Sequence, residues 1–212
     1  MQKAIAIAGI HTDIGKTVVA AIVTEALRAD YWKPVQSGSL DNSDSMTIKN
    51  LLSNTQSVVH PEAVQLQLAA SPHKAARHEN RIVDFREFEL PQSNQTLIVE
   101  TAGGLFSPID ENGTMADFLQ RQQLPALLVT RHYLGSINHT LLCIEAMKQR
   151  GIPLLGLIVS GEPDEHSERF IRNYTGTSSV FHTGELKVIN KTTIHEVAAR
   201  MRPWLQNLLY NV

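Results

Sequence analysis

The chain has 212 residues, a formal net charge of −2, 42% hydrophobic residues and one cysteine. That length suits a single α/β domain over 1–212, with a sheet covered on both faces, and leaves little for a second independent core. The balanced charge, without any Lys/Arg-rich run, argues against nucleic acid and anionic membrane as partners, and the lone Cys143 excludes an intramolecular disulfide or a cysteine-based metal cluster.

Apolar runs alternate with amphipathic segments, the pattern of a mostly parallel sheet with crossover helices on both faces. The run 4–8 predicts a buried strand and 16–29 the first helix. Between them Gly9-Ile10-His11-Thr12-Asp13-Ile14-Gly15-Lys16-Thr17 reads as a phosphate-cradling loop, with five residues rather than the usual four separating its glycines. In such a loop the backbone amides of Asp13, Ile14, Gly15, Lys16, Thr17 and Val18 face phosphate oxygens. Lys16 reaches the β- and γ-phosphates, and the Thr17 hydroxyl is placed to ligate Mg²⁺.

A second strand over 31–35 runs into Lys33-Pro34-Val35-Gln36-Ser37-Gly38, where a lysine beside small hydroxyl residues suits an anion. A helix follows over 43–52; Ser43 and Asp44 fit its cap, and Asp44 also suits a Mg²⁺ ligand. The proline-interrupted stretch 53–95 offers only a short helix over 72–77. The strand 96–99 delivers Glu100 ahead of Thr101-Ala102-Gly103-Gly104, where a phosphate-loop ATPase supplies an acidic residue for its metal and glycines pass close to the phosphates. Helices over 115–122 and 136–149 flank a strand over 126–130, and Gly135-Ser136-Ile137-Asn138 opens the second of them with free amides suited to a carboxylate or phosphate, or simply with Ser136 as a cap. Strands over 154–159 and 179–182 and a helix over 194–209 complete the series. The first strand begins too near the N-terminus for a signal peptide, and no apolar stretch reaches membrane-spanning length, so a cytoplasmic location is expected.

Taken together these segments resemble the dethiobiotin synthetase family, whose members have the P-loop NTPase fold. The resemblance runs from Ala4 to about Leu186 and rests on the five-spaced loop, Lys33-Pro34-Val35-Gln36-Ser37-Gly38, Asn42-Ser43-Asp44, Ser71-Pro72-His73, Val99-Glu100-Thr101-Ala102-Gly103-Gly104 and Leu134-Gly135-Ser136-Ile137-Asn138-His139. It implies a homodimer that takes MgATP, CO₂ and 7,8-diaminononanoate and closes a ureido ring. Lys16 and Lys33 would act on the carbamate and γ-phosphate, and Thr17, Asp44 and Glu100 would hold Mg²⁺. Ser37 and Thr12 would bind the carbamate or diamine, while the amides of Gly135, Ser136, Ile137 and Asn138 would hold the distal carboxylate from the partner subunit. Gly103 would lie by the phosphates, and Ser160, Gly161, Gly184, Glu185 and Leu186 would line the base. Ser160-Gly161 stands where the family usually has an asparagine-aspartate pair, and Lys187 where it has proline, which implies a looser grip on adenine. A second reading is a regulatory switch ATPase of the ParA/MinD type. Those proteins carry a lysine five positions before the loop lysine, where this chain has His11.

Overall fold

Six strands lie side by side in the order β2-β5-β1-β6-β7-β8, every neighbouring pair parallel, in a computed structural model that describes residues 3–210. The central strand β1 (Ala4–Gly9) is buried at every position, as a strand covered on both faces must be. Helix α1 (Lys16–Leu27) leads to β2 (Asp30–Trp32) at one edge. β5 (Leu97–Glu100) fills the place between β1 and β2, and the chain then crosses back through α4 (Met115–Arg121) to β6 (Ala126–Thr130) on the other side of β1. The crossover direction therefore reverses at β1. Right-handed connections then put the two sets of helices on opposite faces and open a crevice at the carboxyl ends of the central strands.

β6 continues through α5 (Ser136–Gln149) to β7 (Leu154–Ser160), and α6 (Glu165–Thr175) leads to β8 (Val180–Gly184). The terminal helix α7 (Lys191–Tyr210) packs along α1 and also meets β8. One hydrophobic core runs through both helical layers, from Ile5 and Ile22 to Phe118, Met147 and Leu205. Among the described residues no helix is long and apolar enough to cross a membrane.

The expected strand over 31–35 is two strands. β2 stops at Trp32, and β3 (Val35–Ser37) pairs instead with β4 (Val64–Leu66) in a separate two-stranded sheet. Proline offers no N–H to a ladder, and the carbonyl of Pro34 accepts from Val64 of the new partner. The break leaves Lys33 between the sheets, at the carboxyl end of β2. The stretch 53–95 holds β4, α3 (Pro72–His78) and a short 3-10 turn at Phe85–Glu87. α6 was not anticipated, because only Ile171 and Glu168 are buried along a segment of otherwise polar or exposed residues. The cap of α5 is Gly135, with φ 98°, rather than Ser136. Ser136 forms the first turn and its hydroxyl accepts from the Tyr133 amide at 3.3 Å.

Candidate active site at the carboxyl ends of the central strands

The loop after β1 ends at Gly15, which caps α1 with φ 89°. A Cβ at Gly15 would stand 2.5 Å from Ser160 Oγ at the end of β7, so both conformation and space require glycine here. Lys16 is buried and its Nζ donates to the carbonyl of His11 at 3.0 Å, drawing the lysine across the loop it follows. Burial, reinforced by nearby Lys33, holds its pKa below the usual lysine value against the opposing pull of Glu100. Ile14 packs into the core and Val18 lies half-buried on the helix.

Thr17, one residue further along α1, meets two carboxylates. Its Oγ1 lies 2.9 Å from Asp44 Oδ1 and 2.8 Å from Glu100 Oε1. A hydroxyl has one proton, so it cannot donate to both; three oxygens converging in this way are the donor set of a hard divalent cation. Asp44 opens α2 (Asp44–Leu51), whose cap is Ser43, accepting from the Met46 amide, and the Asp44 carboxylate is left facing Thr17. Gln36 fastens the arrangement, its Oε1 accepting from the Asp44 amide and its Nε2 donating to the Gly38 carbonyl. Glu100 sits in register with Ile7 of β1 and is 1% exposed. Burial, with Asp44 adding to it, raises its pKa despite Lys33. Among the described residues no three His, Cys, Asp or Glu side chains form a metal-holding group. Thr17, Asp44 and Glu100 are the residues that could hold a hard divalent cation such as Mg²⁺, which takes few protein ligands and completes its shell with phosphate and water.

Lys33 is bonded through Nζ to Asp44 Oδ2 and lies 3.9 Å from Glu100 Oε1. Burial works against its charge, but the two carboxylates outweigh it and raise its pKa above the usual lysine value. It opens onto a cleft of about 760 Å³ lined also by Thr12, Asp13, Ser37, Asp44 and Gly103. Ser37 Oγ is buried there without a hydrogen-bond partner, a donor left for something in the cleft. The far wall is Ala69 to Pro72, and Gly38 passes so close to it that a Cβ would come within 2.6 Å of Ala69.

The remaining expected residues fall into two groups outside this cleft. Ser160 and Gly161 stand on the other side of Gly15, where the Gly161 amide donates to Thr183 at 3.3 Å and Gly184 ends β8. Glu185 pairs with Arg131 at 3.3 Å, the pair lying against Gly161, whereas the Leu186 side chain packs on the core. Gly135 to Asn138 do not line the cleft. Gly135 and Asn138 are exposed at the start of α5, while the Ser136 side chain is buried. His139 bonds the Tyr133 hydroxyl and His132 reaches Glu168, so the two histidines face different partners. Tyr31, Gln36, Thr183 and Arg131 were not singled out from the sequence. Tyr31 gave no signal there, since an aromatic residue in an apolar strand reads as core.

A strand, a glycine-capped turn and a helix N-terminus bearing Lys16 and Thr17, with Glu100 on the adjacent strand end, define a P-loop nucleotide-binding protein. The AAA_26 family model, described as an AAA domain, matches residues 3–194. The chain is 43% identical to the ATP-dependent dethiobiotin synthetase BioD of Christiangramia forsetii, over 95% of this chain and 97% of that one. It is 42% identical to BioD of Cytophaga hutchinsonii, over 92% and 95%. Among solved structures it resembles the cell division ATPase MinD of Pyrococcus furiosus, with TM-score 0.57, 15% identity and coverage of 96% and 99%. At that identity the likeness is one of fold, and it does not favour the switch-ATPase reading. The chain belongs to the ATP-dependent dethiobiotin synthetase family, whose members are ligases of biotin biosynthesis.

Proposed function

We propose that this chain, as a cytoplasmic homodimer, converts 7,8-diaminononanoate, CO₂ and ATP into dethiobiotin, ADP and phosphate in a Mg²⁺-dependent reaction. The observation that carries the reading is the convergence of Thr17, Asp44, Glu100 and Lys33 beside a cleft holding the unpartnered Ser37 hydroxyl. One amine of the diamine adds to CO₂ and loses a proton, giving a carbamate. A carbamate oxygen then attacks the γ-phosphorus and ADP leaves. The second amine attacks the resulting carbonyl, expels phosphate and closes the ring.

Carbamate and triphosphate are both anionic, so their approach must be neutralised and aligned. Lys33, kept cationic by its carboxylate neighbours, faces the cleft in which the carbamate would lie, and Lys16 serves the γ-phosphate from the loop side. Ser37 and Thr12 hydrogen-bond the carbamate or diamine, and Asp13 and Gly103 complete the rim. Thr17, Asp44 and Glu100 would hold Mg²⁺, which when bound would supply positive charge to offset that of the triphosphate. Ser160, Gly161, Gly184 and Glu185 border the base, where Ser160 offers fewer bonds than an amide, so other nucleoside triphosphates are used alongside ATP. The amides of Gly135 to Asn138 hold the distal carboxylate of a substrate bound to the partner subunit. Exposed Leu134 and Leu142, with Phe106 and Tyr133, give this part of the surface an apolar character suited to dimerisation.

The test is ADP release from purified protein with MgATP, bicarbonate and the diamine, each omitted in turn, with the product identified by mass. Release that needs both diamine and CO₂ and yields dethiobiotin is expected. Hydrolysis indifferent to the diamine would overturn the reading in favour of a switch ATPase.

A further inference from the structure

The Glu100 carboxylate has two oxygens in different surroundings. Oε1 meets Thr17 at 2.8 Å and lies on the side of Lys33, while Oε2 points inward and accepts from the Tyr31 hydroxyl at 2.8 Å. Both residues are closed to solvent, Tyr31 at 0% and Glu100 at 1% exposure, so no bulk water replaces that bond. Tyr31 is itself held at both backbone groups. Its N–H donates to Val58 at 2.9 Å and its carbonyl accepts from His60 at 2.8 Å, fixing the outer edge of β2 to the segment at 58–60. The neighbouring Trp32 adds a bond from Nε1 to the Pro61 carbonyl at 3.0 Å. The phenol therefore projects from a backbone pinned on one side by β5 and on the other by this segment.

A carboxylate turns readily about its last side-chain torsion. One oxygen bonded to a fixed donor leaves the other with a single direction, here toward Thr17 and Asp44. Losing an outer group that orients a ligand in this way typically costs about 10–100-fold in metal affinity. We propose that Tyr31 is a positioning residue that holds Glu100 in its metal-ligating orientation. The inference rests on the assignment of Glu100 to Mg²⁺ made above.

The experiment is direct Mn²⁺ binding to the ADP-loaded protein by electron paramagnetic resonance, together with a Mg²⁺ titration of turnover, for wild type, Tyr31→Phe, Glu100→Gln and the double variant. Tyr31→Phe keeps the ring, and circular dichroism reports whether the fold is kept. It is expected to weaken metal binding about 10-fold or more, to raise half-saturating Mg²⁺ in parallel and to leave the KM for the diamine unchanged. In the Glu100→Gln background it is expected to have no further effect on the metal. Weakened binding in Glu100→Gln with none in Tyr31→Phe would overturn the role of Tyr31 alone; unchanged binding in Glu100→Gln would overturn the metal assignment itself. Should Tyr31→Phe not fold, the unaltered protein labelled at the tyrosine ζ-carbon answers instead. The Tyr31 resonance is expected to shift on Mg²⁺ addition to the ADP complex, and an unmoved resonance would overturn the proposal.

Discussion

Glu25 lies on the buried side of α1, the helix that carries the phosphate loop, and replacing it with glutamine is expected to destabilise the protein in a pH-dependent way. Its Oε2 accepts from the Ser53 amide and from both the amide and the side chain of Asn54; its Oε1 accepts from the Ser53 hydroxyl and from His195. One carboxylate thus ties α1 to the turn after α2 and to α7. Burial would raise its pKa, but the bonds from Ser53, Asn54 and His195 outweigh this and bring it down to about 2 from an ordinary 4.5. A depressed carboxylate pKa stabilises the folded state above the unfolded pKa, and that stabilisation is lost as pH falls through the folded one. At 1.36 kcal/mol per pKa unit the ionised form contributes about 3 kcal/mol at neutral pH, falling to roughly half by pH 3. Its side chain is only 4% exposed, so solvent screening removes little of this. Urea unfolding of wild type and Glu25→Gln at pH 7, 4 and 3 checks the expectation. A cost below about 1 kcal/mol at pH 7, or one that does not shrink as pH falls, would refute the reasoning.

Gly15→Ala is expected to abolish nucleotide binding measured by calorimetry, since the added Cβ meets Ser160 at 2.5 Å and φ is 89°; retained affinity would refute the requirement for glycine. Lys33→Ala should lower kcat by about three orders of magnitude with little change in nucleotide affinity, as for a group that acts on charge developing in the transition state. A loss of only a few-fold in single-turnover kinetics would make it a spectator. Leu142→Asp, on the exposed face of α5, should shift sedimentation from dimer to monomer and remove activity with it. Full activity in a monomer would refute the shared substrate site.

Much of the candidate site was legible because the P-loop is written in contiguous residues. Gly15, Lys16 and Thr17 follow one another, and Glu100 closes a short apolar strand, so each announces itself locally. Lys33 was legible as a lysine leaving an apolar strand, but its setting between two sheets was not, because the break after it depends on Pro34 accepting Val64 as a partner from thirty residues away. α6 escaped because its apolar stripe is too thin to set a period, with Phe170 and Tyr174 turned outward.

The sequence by itself determined the alternation of strands and helices, the phosphate loop and the identities of the charged groups, since periodicity, turn chemistry and short motifs act over a few residues. Tertiary structure alone decided what those groups do to one another. Asp44 and Glu100 stand 56 positions apart in the chain, yet meet the same hydroxyl, and the bond from Tyr31 to Glu100 spans two neighbouring strands. The physical reason is that charge, desolvation and hydrogen bonding act through space over a few ångströms, whereas local sequence reports only on neighbours along the chain.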